Sequence, residues 1–369
     1  MFKNKKFLGT AFIIVILFLL AVSLLTMASV SYPIAPKNKP GFYYLYKQIG
    51  WIVGGLFCFS FAALMNYKRY KEIKIFSVLY IAGIIGLIAV LIFGSKSKGA
   101  VRWIDLFGFR MQPSEFSKLL LIFTFSAYLI NNYSDKYTGF KAMFMCFLHI
   151  FPVFFLIAIE PDLGTSLVII LIYGMLLFLN KLEWKCIITV FASIAGLIPI
   201  AYKFLLKEYQ KDRIDTFLNP ESDALGTGWN ITQSKIAIGS GKIFGKGFLN
   251  NTQGKLKYLP ESHTDFIGSV FLEERGFIGG SMLLLIYIVL LAQILYIADT
   301  TQDKFGKYIC YGVATIFFFH IFVNMGMIMG IMPVTGLPLL LMSYGGSSLV
   351  FSFLILGVVQ SVKIHRGNK

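Results

Sequence analysis

The stretch that decides the fold is the apolar run of residues 7–30, FLGTAFIIVILFLLAVSLLTMASV, which contains no charged residue. A helix that crosses a bilayer needs ~20 mostly apolar residues, so this run is long enough to span one. It follows Lys3, Lys5 and Lys6, as the apolar part of a signal peptide would. It is too long for that part, and no small-x-small cleavage site precedes the next polar segment, so we expect a retained span.

Similar runs recur along the chain, in which 57% of the residues are hydrophobic and the mean hydropathy is +0.73. Strands of a membrane β-barrel alternate in polarity, and these runs do not. The sequence therefore predicts an all-α polytopic membrane protein with about ten transmembrane helices in a single domain, residues 1–369. The expected spans are 7–30, 45–65, 74–93, 114–131, 142–159, 163–180, 185–203, 266–298, 307–330 and 340–362.

The distribution of charge indicates the orientation of these spans. One set of loops, together with both termini, carries 16 of the 34 Lys and Arg residues but only five of the 18 acids. Short cationic loops stay in the cytoplasm, so both termini are expected there. The opposite, extracytoplasmic face then holds the other 13 acids beside many cations, which suits a site better than a plain topology signal.

A large extracytoplasmic loop, residues 204–265, is expected between the seventh and eighth spans. Loops longer than ~12–15 residues without their own structure are usually functional or disordered. This loop contains an apolar-periodic piece at 231–238 and a series of glycines, so it is too apolar for a disordered tail. We expect a re-entrant or surface-lying segment packed over the outer face.

The most polar part of the chain is residues 258–280, YLPESHTDFIGSVFLEERGFIGG, where six ionisable side chains crowd together. Asp265 lies where a hydrophobic helix begins, and an ionisable group at a membrane boundary is by default a functional hypothesis. Glu261, Ser262 and Asp265 are also residue types that cap a helix. A cap needs one such residue, so the number of them favours a functional site.

Glycines and prolines interrupt the last apolar stretch before the C-terminal span. The segments 324–338 and 341–348 contain Pro333, Gly336 and Pro338, followed by the sequence LMSYGGSS. Non-helical backbone at membrane depth is tolerated only where it is buried in protein or lines a wet cavity. A tight hairpin between two spans and a substrate-lining segment are both compatible with this pattern.

The same segments resemble the SEDS family (shape, elongation, division and sporulation), whose pattern Asn-x5-Gly-Ile-x-Pro-Val-x-Gly-Leu is followed by Leu-Met-Ser-Tyr-Gly-Gly-Ser-Ser. Other matching motifs stand in the family's order along nearly the whole chain after the first span. They are GAVRWI at 99–104, QPSEFSK at 112–118, PDLGT at 161–165, QSKIAIGSG at 233–241 and LPESHTDF at 259–266. Several details are similar to the RodA branch, among them PVTGLP at 333–338.

The resemblance implies a peptidoglycan glycosyltransferase of the bacterial cytoplasmic membrane that builds cell wall during elongation and maintains rod shape. Its substrate is expected to be lipid II, polymerised into glycan strands at the outer membrane face. The implied partners are a class B penicillin-binding protein, other membrane proteins of the elongation complex and membrane lipid, with no nucleic acid.

The chemistry that this implies needs a base, because a sugar hydroxyl is a poor nucleophile until its proton is removed. The resemblance assigns this role to Asp265. The leaving pyrophosphate needs positive charge or a metal. No His and Cys cluster marks a metal site, so a divalent cation such as Mg²⁺ or Mn²⁺ would have to use carboxylate oxygens. No cofactor is otherwise expected.

Further residues are expected to bind or position the substrate. Glu115 and Lys118 share one helix face, and an ordinary ion pair is the plain alternative. Trp103 stacks on a sugar or anchors the chain at the membrane interface. The same expectation covers Arg102, Asp162, Lys235, Glu261, His263, Ser343, Gly345 and Gly346.

Three alternatives remain open. A transporter that flips lipid II would also use prolines, glycines and charge near the midplane. A scaffold for a penicillin-binding protein would not need Asp265, Glu115 and Lys118 together. A polymerase of the division or sporulation type, similar to FtsW or SpoVE, shares the same chemistry.

Overall fold

The structure is a computed structural model that describes most of the chain. The described residues are 5–34, 41–97, 100–106, 109–132, 139–160, 162–181, 183–186, 188–189, 192, 196, 208–219, 223 and 226–366. Most of the expected seventh span, 185–203, and part of the loop after it lie outside these residues.

Long apolar helices dominate the described chain, which confirms the predicted all-α polytopic membrane fold. Seven of these helices are long and apolar enough to cross a bilayer. The helices are α1 (Lys5–Ile34), α2 (Tyr43–Leu64), α3 (Ile73–Phe93), α4 (Pro113–Asn132), α5 (Phe140–Ile159), α6 (Leu163–Leu179), α7 (Glu208–Leu218), α8 (Thr227–Gly241), α9 (Thr252–Lys255), α10 (Ile267–Thr300), α11 (Lys304–Ile328) and α12 (Gly346–His365). Of the expected spans, α4 is less apolar because it carries Glu115 and Lys118, and α6 has only 17 residues.

The last span begins later than the sequence predicted. We expected it from residue 340, but α12 starts at Gly346, and residues 340–342 form a turn. Leu341 has a left-handed φ of +68°, which no helix contains. The apolar run is continuous here because these residues are buried, and hydrophobicity alone cannot separate a buried turn from a helix.

A small antiparallel sheet stands in the segment that precedes α4, where no strand was predicted. It consists of β1 (Ser95–Ser97), β2 (Ala100–Leu106) and β3 (Phe109–Met111), in the order β1-β2-β3. Trp103 pairs with Ser95 on one side of β2, and Ile104 pairs with Met111 on the other. The sheet fixes the backbone that carries Arg102 and Trp103.

The helix α10 is two helices joined at a break. Gly276 has φ +65° and ψ −165°, which no residue of a continuous helix adopts. The chain after α8 packs into this break and satisfies the freed backbone groups: Phe277 N donates to Lys242 O at 2.9 Å and Lys246 N donates to Glu273 O at 3.0 Å. The break is therefore stabilised by hydrogen bonds from another part of the chain, which an interrupted helix in a membrane protein needs.

The glycine series of the large loop has its explanation here. A Cβ on Gly241 would collide with Leu272 O, and one on Gly245 would collide with Glu274 O. Gly245 also has a φ of +82°. Glycine is the residue that allows such an approach of two backbones.

The chain forms two compact units. The first consists of Met1–Phe57, Tyr209–Gln293 and Phe317–Phe353, and the second of Cys58–Glu208, Ile294–Ile316 and Leu354–Lys369. In the first unit, Gly55 of α2 lies directly against the Phe353 ring. In the second, Gly312 of α11 lies against Ile122 of α4 and Gly357 of α12 against the Phe59 backbone. Small residues allow helices to approach closely in this way within membranes.

Candidate functional site

Asp265 sits at the end of a short irregular segment, immediately before the first half of α10. Three consecutive backbone carbonyls in this segment accept hydrogen bonds from residues far along the chain. His263 O accepts from Tyr344 N at 2.9 Å, and Thr264 O accepts from Ser343 Oγ at 2.8 Å. Asp265 O accepts from Asn324 Nδ2 at 2.9 Å. These three bonds, which we name the carbonyl clamp, fix the backbone from which the Asp265 carboxylate projects.

Asn324 connects the carbonyl clamp to the interrupted segment after α11. It is fully buried, and its Nδ2 also donates to Leu337 O at 2.8 Å. Gly336, at φ +76°, stands close to the acid: a Cβ there would lie 3.9 Å from Asp265 Oδ2. The glycine-proline segment therefore borders the Asp265 carboxylate, which favours the site-lining interpretation over that of a plain hairpin.

Ser343 uses its hydroxyl entirely within the protein. It donates to Thr264 O and accepts from Leu339 N at 2.9 Å. Its own carbonyl accepts from Gln48 Nε2 at 3.3 Å. The structure therefore gives Ser343 a positioning role. Gly346 has a packing role, because a Cβ there would lie 2.7 Å from the Trp51 ring, whereas one on Gly345 would meet only an ordinary contact.

His263 belongs to a cluster of rings that the sequence did not reveal. Its ring centroid lies 4.6 Å from that of Tyr44 and 5.6 Å from that of Tyr344. Tyr44 and Tyr344 meet edge to face at 5.1 Å. All three side chains are partly exposed, and His263 is two residues from Asp265 in sequence. Tyr44 follows a segment with no motif, so only the folded chain shows that it joins the site.

Glu261 and Lys235 lie at different places in the first unit. Glu261 Oε2 accepts from Thr264 Oγ1 at 2.9 Å, so part of its carboxylate supports the turn before Asp265. Lys235 is exposed, and its aliphatic stem lies on Gly330, which has a φ of +73°. The end of the Lys235 side chain thus packs against the Gly330 backbone.

The remaining acids of the 258–280 stretch hold the break in α10. Glu273 is fully buried, and its Oε1 accepts from Lys246 Nζ at 2.6 Å and from Thr252 N at 2.9 Å. Glu274 accepts from Ser29 Oγ, and from Asn251 Nδ2 at 2.7 Å. Removing one partner of a buried charged network is costly, so both acids are structural. Glu273 and Glu274 therefore support the break in α10, whereas Asp265 is the acid of this stretch that is the candidate for chemistry.

The second unit holds Arg102 and Asp162. Both Asp162 oxygens accept hydrogen bonds: Oδ1 from Thr165 N at 3.2 Å, and Oδ2 from Thr165 Oγ1 at 2.9 Å and Gln112 Nε2 at 3.0 Å. Arg102 Nη1 lies 3.8 Å from Asp162 Oδ1. Asp162 is thus the N-cap of α6 and joins that helix to β2 and to the start of α4. We did not foresee this capping role.

Glu160 is a buried acid that sequence reasoning passed over. It is 1% exposed, and neither carboxylate oxygen has a hydrogen-bond partner among the described residues. Burial, with the neighbouring Asp162 charge, raises its pKa to about 8, and Arg102 offsets part of this rise. Glu160 is therefore neutral at pH 7.

Glu115 and Lys118 form the buried ion pair that their spacing allowed, with Lys118 Nζ 2.9 Å from Glu115 Oε1. Lys118 is fully buried and Glu115 is 3% exposed. Trp103 lies partly exposed on β2. His149 packs among Tyr80, Phe125 and Tyr128, and His320 contacts Pro338 O at 3.0 Å.

The predicted site residues thus fall into two groups, one in each unit. The first unit brings together Asp265, Glu261, His263, Ser343, Gly345 and Gly346, and it also contains Lys235. The second contains Arg102, Trp103, Glu115, Lys118 and Asp162. In the described part of the chain, no three His, Cys, Asp or Glu residues are grouped as a metal site requires, so no chemical step is assigned to a metal ion here.

Comparison with known proteins places these features in context. The model of the family FTSW_RODA_SPOVE, described as cell cycle protein, matches residues 10–368. The chain is 40% identical to the peptidoglycan glycosyltransferase MrdB of Escherichia coli K12 over 368 residues, covering 99% of this chain and 96% of that protein.

Two solved structures are similar over almost the whole chain. One, from a study of structural coordination of polymerization and crosslinking by a peptidoglycan synthase complex, gives a TM-score of 0.78 at 28% identity, covering 97% of this chain and 98% of the other. The other is the rod shape determining protein RodA of Thermus thermophilus, with a TM-score of 0.70 at 26% identity and 97% of each chain covered.

Proposed function

Because the chain belongs to the FTSW_RODA_SPOVE family and is a peptidoglycan glycosyltransferase of the RodA type, we propose that it polymerises lipid II with Asp265 as the catalytic base. The observation that carries this proposal is the carbonyl clamp, which fixes three consecutive carbonyls up to Asp265 itself. A catalytic group must be held close to its productive geometry, and the carbonyl clamp holds the backbone of Asp265 in this way.

The proposed reaction joins two sugars. Asp265 takes the proton from the 4-hydroxyl of the acceptor sugar, and that oxygen forms a bond to the anomeric carbon of the donor. The bond between that carbon and the pyrophosphate oxygen breaks, and the lipid pyrophosphate leaves with the electron pair. A carboxylate within hydrogen-bond reach typically contributes ~10²–10⁴-fold to such a step.

Cations receive the leaving pyrophosphate in this proposal. Lys235 in the first unit is exposed and has a held stem. Arg102 belongs to the second unit, where Asp162 and the Glu160 carbonyl, to which its Nε donates at 3.3 Å, fix it, and its expected contact with the substrate stays a prediction. Arginine suits bidentate contacts to phosphate oxygens, and lysine acts as a point charge. Contribution of a divalent cation stays a prediction.

The proposed cellular setting follows from the same premise. The chain is a multi-span membrane protein, and we propose that both termini are cytoplasmic and that Asp265 faces the outer side of the bacterial cytoplasmic membrane. A class B penicillin-binding protein is the proposed partner, since a similar structure comes from a complex that coordinates polymerization with crosslinking.

Proteoliposomes that contain the purified protein and lipid II test the function. Polymerisation predicts glycan chains of increasing length, more of them when a class B penicillin-binding protein is included. A transporter would instead move lipid II between leaflets without lengthening it. Translocation with no polymer, with or without the partner, would replace the polymerase by the transporter.

A further inference from the structure

A cavity of about 350 Å³ opens in the second unit, and none of its lining residues belongs to the candidate site. It lies where three helices end or begin: α6 stops at Leu179, α10 stops at Thr300 and α11 starts at Lys304. Its lining is formed by Leu179, Asn180, Lys181, Thr301, Gln302, Lys304, Lys307 and Tyr308. We name it the lysine cavity.

The ends of these helices fix the depth of the lysine cavity relative to a bilayer. All three helices are apolar, and α10 and α11 are long enough to span. Helix ends of this kind lie at the boundary between the hydrocarbon layer and the headgroups. The mouth of the cavity is therefore at the level of lipid phosphates, on the side that the charge pattern predicts to be cytoplasmic.

The charge of the cavity favours an anion. Lys181 and Lys304 are exposed, and Lys307 is 38% exposed. Three lysines line the cavity, and none of its lining residues is an acid. Of the acids near it in sequence, Asp299 accepts from Tyr311 Oη at 2.7 Å and pairs with Lys307 at 3.8 Å, while Asp303 accepts from Gly306 N at 3.2 Å. Glu183, two residues after Lys181, is exposed outside the lining.

Lys181 is held at the cavity in an unusual backbone conformation. Asn180 caps α6, and its side chain accepts from Tyr308 Oη at 3.0 Å. Lys181 follows with a φ of +61° and donates from its N to Phe178 O. Glycine is the usual residue after a helix C-cap, because a side chain in this conformation is strained. Lys181 therefore places its ammonium at the cavity although its backbone conformation is strained.

We propose that the lysine cavity binds the phosphate headgroup of an anionic membrane phospholipid. Basic pockets between helices at the cytoplasmic face take such headgroups, and each cation near an anionic surface contributes ~1 kcal/mol. The acyl chains would lie along the exposed apolar side chains of α6, among them Leu167, Leu171 and Phe178, which a free phosphate ion could not use. This binding is separate from the glycosyltransferase site.

The test measures binding of phosphatidylglycerol and of phosphatidylcholine to the purified full-length protein by native mass spectrometry. The variants are Lys181→Gly, Lys304→Gln and the two combined. The control is Lys74→Gln, which removes an exposed lysine at the start of α3 outside the cavity. Lys181→Gly relieves the left-handed strain, so its melting temperature should not fall and folding cannot account for lost binding.

The expected result is a preference of the wild type for phosphatidylglycerol, weakened about fivefold by each cavity substitution and more by the pair, with Lys74→Gln unchanged. Equal binding by the wild type and the combined variant would overturn the proposal, as would an equal loss in Lys74→Gln. Displacement of phosphatidylglycerol by millimolar inorganic phosphate would identify a free anion as the ligand instead.

Discussion

At the scale of single residues, the position of Asp265 depends on side chains that never touch the substrate in our proposal. Asn324 is the clearest case. One nitrogen donates to two carbonyls, Asp265 O, which is 59 residues away in sequence, and Leu337 O, which is 13 residues away and buried. An unsatisfied buried carbonyl costs about 1–3 kcal/mol, so the loss of Asn324 would release the segment that carries the acid.

Asn324→Leu should therefore lower the polymerisation rate by about 10²-fold, the loss that a 1 Å displacement of a catalytic group causes. The turnover number should fall more than the apparent affinity for lipid II. His320→Phe is the matched control, since His320 lies one turn earlier on α11 and contacts Pro338 O. Equal losses in both variants would mean that α11 packing, and not the carbonyl clamp, sets the rate.

Glu160 gives a prediction about pH. An unfolded glutamate loses its proton near its ordinary pKa, whereas folded Glu160 keeps it up to about pH 8. Stability from this neutral acid is complete below the ordinary pKa and declines as pH rises through about 8. Glu160→Gln cannot ionise, so it should raise the melting temperature relative to wild type at pH 8 by about 2 °C or more, and less at pH 5. The same difference at both pH values would contradict the raised pKa.

Individual residues were predictable from sequence only where a motif or an ionisable type marked them. Asp265 stood out because a charge preceded an apolar helix, and Glu115 with Lys118 because their spacing allowed a pair. Tyr44 had no local signal, and the sequence did not indicate that the Asp162 side chain caps α6. Contacts made over long sequence distances decide such roles.

At the scale of elements, the break in α10 organises the first unit. The sequence predicted a single span over residues 266–298. The structure divides it at Gly276, because the segment from Lys242 to Gly247 supplies hydrogen bonds to the interrupted backbone. The glycines of that segment were visible in the sequence, but their partner was not.

Gly276→Ala should prevent the segment from Lys242 to Gly247 from packing into the break in α10. Its φ is +65°, and a Cβ would strike the backbone of Gly245 and Ile243, neither of which can rotate away. We expect a loss of several kcal/mol in stability, seen as a lower melting temperature and poor recovery in detergent. Gly239→Ala is the control, since nothing lies within 4 Å of its Cβ and alanine favours helix α8. A stable Gly276→Ala protein would show that the break is adjustable.

Helix bounds were predicted well wherever an apolar run ended in charge. The second and fifth spans were expected at 45–65 and 142–159, and α2 and α5 occupy Tyr43–Leu64 and Phe140–Ile159. The strands before α4 were missed because β1 and β3 have only three residues each, and the seven residues of β2, AVRWIDL, do not alternate strictly in polarity.

At the scale of the whole molecule, the membrane orientation underlies both proposals. Single cysteines at Lys257 and at Lys74, in a variant without the four native cysteines, report it. An impermeant thiol reagent added outside intact cells should label Lys257→Cys and leave Lys74→Cys unlabelled. The reverse pattern would place the Asp265 face inside the cell and the lysine cavity outside.

The central claim, that a clamped Asp265 is the base for polymerisation, is tested most directly by the rate at which Asp265→Asn polymerises lipid II in the purified complex. Asparagine keeps the size of the side chain and removes the basic oxygen, so the rate should fall at least ~10²-fold while folding and lipid II binding persist. Glu261→Gln, which alters the neighbouring turn, should lose much less. Polymerisation by Asp265→Asn at the wild-type rate would contradict the account and make Glu261 the next candidate.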